Sequence, residues 1–152
     1  KKSYKVVIGS IARNKTPISG LKSLNYLAHV IAKMEADRAG ADEAILVDSS
    51  GYVLEGTVSN IFMVQGNDLI TPPLSLGILA GTTRERIIHI AKKLGYKTTE
   101  KKFTVHSLLE ADEAFLTFSS ARIMPIHAVG KKKVGKTVPG KITLSLQTPL
   151  AA

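Results

Sequence analysis

Glu43-Ala44-Ile45-Leu46-Val47-Asp48-Ser49-Ser50-Gly51-Tyr52-Val53-Leu54-Glu55 is the stretch on which the fold turns. Its apolar run reads as a buried strand, Asp48 to Gly51 as a turn, and Tyr52 to Glu55 as a second strand. Asn60-Ile61-Phe62-Met63-Val64 continues as another strand. The turn Gln65-Gly66-Asn67-Asp68 and the short strand Leu69-Ile70 follow. Strands outnumber helices along the chain and their order is mixed, which favours an α+β or barrel-like fold over a doubly wound sheet.

Upstream, Val6-Val7-Ile8 is strand-like. Leu24, Leu27, Ala28, Ile31, Met34 and Glu35 recur at helical spacing, with Gly40 as the stop. Met34 and this stripe are expected to be core. Downstream, Thr71-Pro72-Pro73-Leu74 excludes a central strand or a helix interior. Gly77 and Gly81 lead to a helix start, where Thr82 and Glu85 have capping-box spacing. Ile87, Ile88, Ala91 and Leu94 form that helix's apolar side, and Gly95 ends it. Lys97 to Thr104 reads as a strand and Ser107 to Ala111 as a short helix. Ala114 to Phe118 and Ile123 to Val129 read as late strands, and Gly130 to Gly135 as a basic turn. No repeat or linker interrupts the chain. The expectation is one α+β domain with a mixed, barrel-like sheet and packed helices.

The chain has 152 residues, is 44% hydrophobic, and carries 21 Lys and Arg against 12 Asp and Glu, a net charge of +9. It can bury a core without staples. It contains no cysteine, which excludes a disulfide scaffold, a zinc–cysteine site and a cysteine nucleophile. No apolar run approaches the roughly 18 residues of a membrane span. The opening Lys1-Lys2-Ser3-Tyr4-Lys5 runs straight into a strand rather than a signal peptide. A reducing, cytoplasmic location is expected. The basic charge suggests phosphates, nucleic acid or acidic lipid. With 5% aromatics and scattered lysines, the stacking platforms of single-strand binding are lacking, and nucleic acid is not the expected partner. Lys131 to Lys133 read as a solvated turn.

Several residues carry chemistry. Gly81, Thr82 and Thr83 open a helix, where free N–H groups and the dipole favour a phosphate; taken alone, an ordinary cap is the commoner reading. Lys22 precedes the first helix. It is either a solvated lysine or, with a lowered pKa, a Schiff-base amine. Glu55 enters a core strand and needs a partner, such as a protonated ring nitrogen, unless it lies on an exposed edge. Ser119 and Ser120 at a strand end are phosphate donors or turn residues. His29, His89, His106 and His127 lack metal-ligand spacing and read as structural or solvated.

Six segments in register resemble the class IV aminotransferases, the fold-type IV pyridoxal-phosphate enzymes. They are Leu21-Lys22-Ser23-Leu24-Asn25-Tyr26-Leu27, Ala41-Asp42-Glu43-Ala44, Leu54-Glu55-Gly56-Thr57-Val58-Ser59-Asn60-Ile61-Phe62, Thr71-Pro72-Pro73, Gly77-Ile78-Leu79-Ala80-Gly81-Thr82-Thr83-Arg84, and Ala111-Asp112-Glu113-Ala114-Phe115-Leu116; Pro125 also fits. The resemblance implies a large cofactor-binding domain of the fold-type IV enzymes, with pyridoxal 5′-phosphate as cofactor. Lys22 is then the Schiff-base lysine and proton carrier. Glu55 sits beside the pyridine nitrogen, and Leu79 packs on the ring face. Tyr26 reaches the phenolic oxygen, and Gly81, Thr82, Thr83 and Ser119 hold the phosphate.

The resemblance further implies a homodimer and an amino acid or 2-keto acid substrate. It also implies a smaller N-terminal domain before the matched region. Because the match begins almost at Lys1, the expectation is that residues 1–152 are the large domain alone, with little turnover in isolation. Arg122 and Ser120 are candidates for the substrate carboxylate, and Arg122 reads equally as a surface arginine. Branched-chain or D-amino acid transamination leads. Val58-Ser59 departs from the usual branched-chain form, so an aminodeoxychorismate lyase giving pyruvate and 4-aminobenzoate is the alternative. A non-catalytic basic binding module is the second.

Overall fold

The computed structural model describes residues 3–24, 26–120 and 122–151. Lys1, Asn25 of the Lys22 motif and Ala121 lie outside the described residues. The strands are β1 (Tyr4–Ile8), β2 (Glu43–Val47), β3 (Val53–Gly56), β4 (Asn60–Gln65), β5 (Asp68–Thr71), β6 (Lys97–Glu100), β7 (Glu113–Phe118), β8 (Arg122–Val129) and β9 (Lys132–Lys133). The helices are α1 (Leu27–Arg38), α2 (Thr82–Lys93), α3 (Val105–Leu109) and α4 (Lys141–Ala151), with a 3-10 turn at Leu74–Leu76. All the strands join one mixed sheet in the order β3-β2-β1-β8-β7-β4-β5-β6, with β9 paired to β8. The β1–β2, β1–β8 and β5–β6 pairs are parallel and the remaining pairs antiparallel.

That order forces the sheet to curl. β3 and β4 lie five strand spacings apart in the sheet order, about 24 Å if the sheet were flat. The chain from Gly56 to Asn60 spans at most about 14 Å. The sheet therefore rolls into a half-barrel that brings the end of β3 to the start of β4. The Gly56 N–H donates to Ser59 O at 2.8 Å there. This is the α+β, barrel-like fold expected.

Both sheet faces are covered, which explains the unbroken apolar runs of the central strands. Ile45, Ile61, Met63, Leu116 and Ile126 fill the concave side with Phe103 and Leu108. Phe62, Val64 and Phe115 face α2 and α4 through Ile87, Ala91, Ile142 and Leu146. Ala44, Leu46 and Leu54 face Ala32 and Ala36 of α1. Phe62 and Phe115 are register partners with stacked rings, centroids 5.1 Å apart.

The structure corrects four expectations. The α1 stripe is not core: Leu27 and Met34 are exposed, Leu24 fully so, and Ala28 and Ile31 are only half-buried. Small Ala32 and Ala36 make the contact instead, because β2 approaches that face closely. Thr82 is not the N-cap of α2; Gly81 is, without a side-chain cap bond, so Thr82 and Glu85 form no capping box. β6 stops at Glu100, and α3 begins at Val105 because the Thr104 hydroxyl accepts from the Ser107 N–H at 3.2 Å. Helix α4 was not expected. Its start is held from afar by Glu113, whose carboxylate accepts the Ile142 N–H at 3.0 Å and the Thr143 N–H at 2.8 Å. Among the described residues no helix is long and apolar enough to cross a membrane.

Candidate active site

A cleft of about 580 Å³ opens at the junction where β3 turns into β4. Glu55 reaches it as the third residue of β3. It is 6% exposed, which overturns the exposed-edge alternative. Its Oε1 accepts from Arg13 Nη2 at 2.9 Å, and its Oε2 accepts from the Leu79 N–H at 3.0 Å. Arg13 donates its other amine to Gly77 O at 3.0 Å. His29 Nε2 stands 3.8 Å from Glu55 Oε1, beyond hydrogen-bond reach. A buried carboxylate is thus held by a charge-assisted bond on one oxygen and a backbone donor on the other.

The segment leading into α2 forms the next wall. Asn60 Nδ2 and the Gly81 N–H both donate to Leu79 O at 2.9 Å. Gly81 has an extended backbone, so glycine is needed there for space. A Cβ would come 2.2 Å from Asn60 Oδ1. The first helical bond into Gly81 O comes from the Glu85 N–H at 3.1 Å. The preceding N–H groups of Thr82, Thr83 and Arg84 therefore have no acceptor within the helix. They open an anion-binding end toward the cleft. The Thr83 hydroxyl is already committed, donating to Phe118 O at 2.7 Å and docking α2 against the end of β7 beside Ser119. What Thr83 offers a ligand is its N–H.

Lys22 lies on an exposed loop at the cleft. Its amine has no hydrogen-bond or ion-pair partner among the described residues. Tyr26 caps the start of α1 and packs edge-on against His29, centroids 5.1 Å apart.

The cleft gathers Lys22, Tyr26, Glu55, Leu79, Gly81, Thr82, Thr83 and Ser119. Ser120 and Arg122 are exposed beyond it and do not line it. Arg13, Ser59, Asn60 and Thr117 also line the cleft and were given no role from sequence; His29, read there as structural or solvated, lines it too. The one available signal was that a carboxylate in a core strand needs a partner. Nothing in the sequence pointed to Arg13, which lies 42 positions away in an aperiodic loop. Among the described residues, four buried polar atoms without a partner belong to cleft residues: Arg13 Nε, His29 Nδ1, Ser59 Oγ and Thr117 Oγ1.

The family model for amino-transferase class IV matches residues 2–129. The chain belongs to the class IV aminotransferases. A putative branched-chain-amino-acid aminotransferase of Methanocaldococcus jannaschii is 43% identical over 127 residues, covering 84% of this chain and 44% of the relative. The D-alanine aminotransferase of Bacillus licheniformis is 38% identical over 130 residues, 86% of this chain and 46% of the relative. Among solved structures, the branched-chain amino acid aminotransferase of Thermobaculum terrenum in its PLP form superimposes with a TM-score of 0.92 at 33% identity. That match covers 98% of this chain and 50% of the other. This class IV aminotransferase chain thus spans about half the length of the relatives it matches.

Proposed function

We propose that this chain is the cofactor-binding domain of a pyridoxal 5′-phosphate-dependent aminotransferase, of branched-chain type, that moves an amino group between an amino acid and a 2-keto acid. One observation carries the reading. An unpaired lysine amine, a carboxylate held on both oxygens and an open helix N-terminus converge on one cleft, in a chain of the class IV family.

The residues fit the cofactor. Unpartnered buried hydroxyls of Ser59 and Thr117 line the cleft, and such orphans call for a polar occupant. The cleft volume lies within the range of small-molecule sites. When bound, pyridoxal 5′-phosphate supplies an aldehyde carbon for the amino group and a ring that accepts the electron pair left at the substrate α-carbon.

The chain's residues do the rest. Lys22 would hold the cofactor through its Nζ and, with that amine free while substrate is bound, would take the α-proton and hand a proton back. Glu55 keeps a proton on the ring nitrogen. The N–H groups of Thr82 and Thr83 and the Ser119 hydroxyl bind the phosphate, with Gly81 leaving room for it. Leu79 would pack against the cofactor's ring, and Tyr26 would offer its hydroxyl to the cofactor's phenolic oxygen. Arg122 and Ser120, outside the cleft wall, reach a substrate only if another segment builds the pocket out to them. The exposed side chains of Leu21, Leu24, Leu27 and Val30 form an apolar face beside the cleft that further protein covers, whether a second copy of this chain or more of the same polypeptide.

The test is borohydride reduction after addition of pyridoxal 5′-phosphate, followed by peptide mapping and amino-donor assays on the chain at its full natural length. A single adduct on Lys22, absent from Lys22→Ala, is expected, with branched-chain L-amino acids as donors. D-alanine as the preferred donor would replace the substrate class and keep the chemistry. No adduct on Lys22 would refute the reading.

A further inference from the structure

Arg13 is a half-buried cation that the chemistry above leaves unused. Its backbone N–H is tied to Val47 O at 2.8 Å, which fixes the loop after β1 against the end of β2. Its guanidinium, with a side chain 14% exposed, spans two elements. One amine donates to Glu55 Oε1 and the other to Gly77 O. Two residues beyond Gly77, the Leu79 N–H holds the second Glu55 oxygen. Arg13 therefore acts on Glu55 twice, directly through its charge and indirectly by anchoring the turn that supplies the other donor. Around Glu55 the facing groups are Arg13 from the β1 loop, the Leu79 N–H from the segment before α2, and His29 from α1 at 3.8 Å. Arg13 is the one cation within hydrogen-bond distance among the described residues.

Resting on the function proposed above, we infer that Arg13 is a positioning residue of the reaction: it holds Glu55 as an anion facing the cleft, so that a proton shared with the cofactor's pyridine nitrogen resides on the nitrogen. The sign follows from geometry. With the proton on the ring nitrogen, Glu55 is a carboxylate 2.9 Å from the guanidinium. With the proton on Glu55, that attraction is lost and Arg13 is left half-buried beside a neutral acid. Arg13 therefore favours the first arrangement, which is the one able to accept the substrate's electrons.

The experiment uses the full-length chain loaded with pyridoxal phosphate labelled with nitrogen-15 in the ring, comparing wild type with Arg13→Gln and Arg13→Lys. The wild-type nitrogen signal is expected at the protonated-ring position, and Arg13→Gln moves it toward the neutral-ring position. Arg13→Lys, which restores charge without the fork, moves it back. With the electron sink weakened, kcat of Arg13→Gln falls about tenfold or more, while KM changes less. Where the glutamine variant does not fold, Arg13→Met fills the same space without an unpaired polar group and carries the same expectation.

A protonated-ring signal unchanged in Arg13→Gln or Arg13→Met would overturn the inference and reduce Arg13 to a structural tie, leaving the proposed function intact. Failure of wild type to form the Lys22 adduct would overturn the proposed function and this inference with it.

Discussion

Glu43 and Glu55 lie on neighbouring antiparallel strands, and both carboxylates are buried, at 2% and 6% exposure. Their surroundings differ. Glu43 Oε1 accepts from the Thr57 hydroxyl at 2.5 Å and from the Ala44 N–H at 2.9 Å. No cation comes within hydrogen-bond distance of it among the described residues, and it does not line the cleft. Glu55 has a guanidinium on one oxygen, a backbone N–H on the other, and an open cleft before it. Burial of an acid is therefore no sign of a site by itself. The partner's charge and the access to a ligand separate the acid that braces a turn from the one that faces chemistry.

The contrast is breakable by mutation. Glu55→Ala has the largest expected effect. In the proposed reaction it lowers kcat by roughly 10²–10³, as for loss of another preorganised electrostatic group. It also destabilises the fold by about 2 kcal/mol, because the half-buried Arg13 loses its charge-assisted hydrogen-bond partner. Adding Arg13→Met recovers most of that stability and none of the activity. Urea denaturation and steady-state kinetics on the same preparations read both, and an inactive but fully stable single variant would contradict the pairing.

Glu43→Ala is expected to cost about 2 kcal/mol by stranding the Thr57 hydroxyl, with activity per folded molecule unchanged. A selective loss of kcat would erase the distinction between the two acids. Glu113→Ala removes the remote cap of α4 and costs about 1 kcal/mol. Faster hydrogen exchange confined to the first turn of α4 is the signature, and uniform acceleration across the sheet would argue against a local cap.

The smallest effect concerns an exposed acid. Hydrogen bonds from the Ser10 hydroxyl and N–H hold the Glu35 carboxyl below its ordinary value of 4.5. Because the folded value is depressed, this contact contributes fully above about pH 4.5 and is lost as pH falls through the depressed value. Ser10→Ala should move the Glu35 midpoint up toward 4.5 in a carbon-13 carboxyl titration, and an unmoved midpoint would remove the Ser10 contact from the account.

Most of the strands were legible along the chain because strands buried on both faces write themselves as apolar runs between turn residues, as in Glu43 to Val47 and Asn60 to Val64. Helix α1 was legible as a helix from its spacing, yet its buried face was not. The sheet lies so close that alanines make the contact, and the larger side chains are turned outward. Helix α4 escaped because its start depends on Glu113, distant in sequence, rather than on a local cap. Lys22, Tyr26, Glu55, Leu79, Gly81, Thr82 and Thr83 of the cleft were legible through short segments in register. Arg13 was not, since an arginine in an aperiodic loop has no local mark of its partner.

Local patterns, then, were readable from the chain alone: most of the strands, the glycine-bearing turns, and Lys22, Glu55 and the Gly81–Thr83 helix start as candidates for reactive or ligand-binding groups. Their meeting in one place was decided only by the tertiary structure. The short link from β3 to β4 cannot span a flat sheet, so the sheet curls. That curl brings Glu55 to Arg13 and the start of α2, and leaves Glu43, one strand away, facing a threonine.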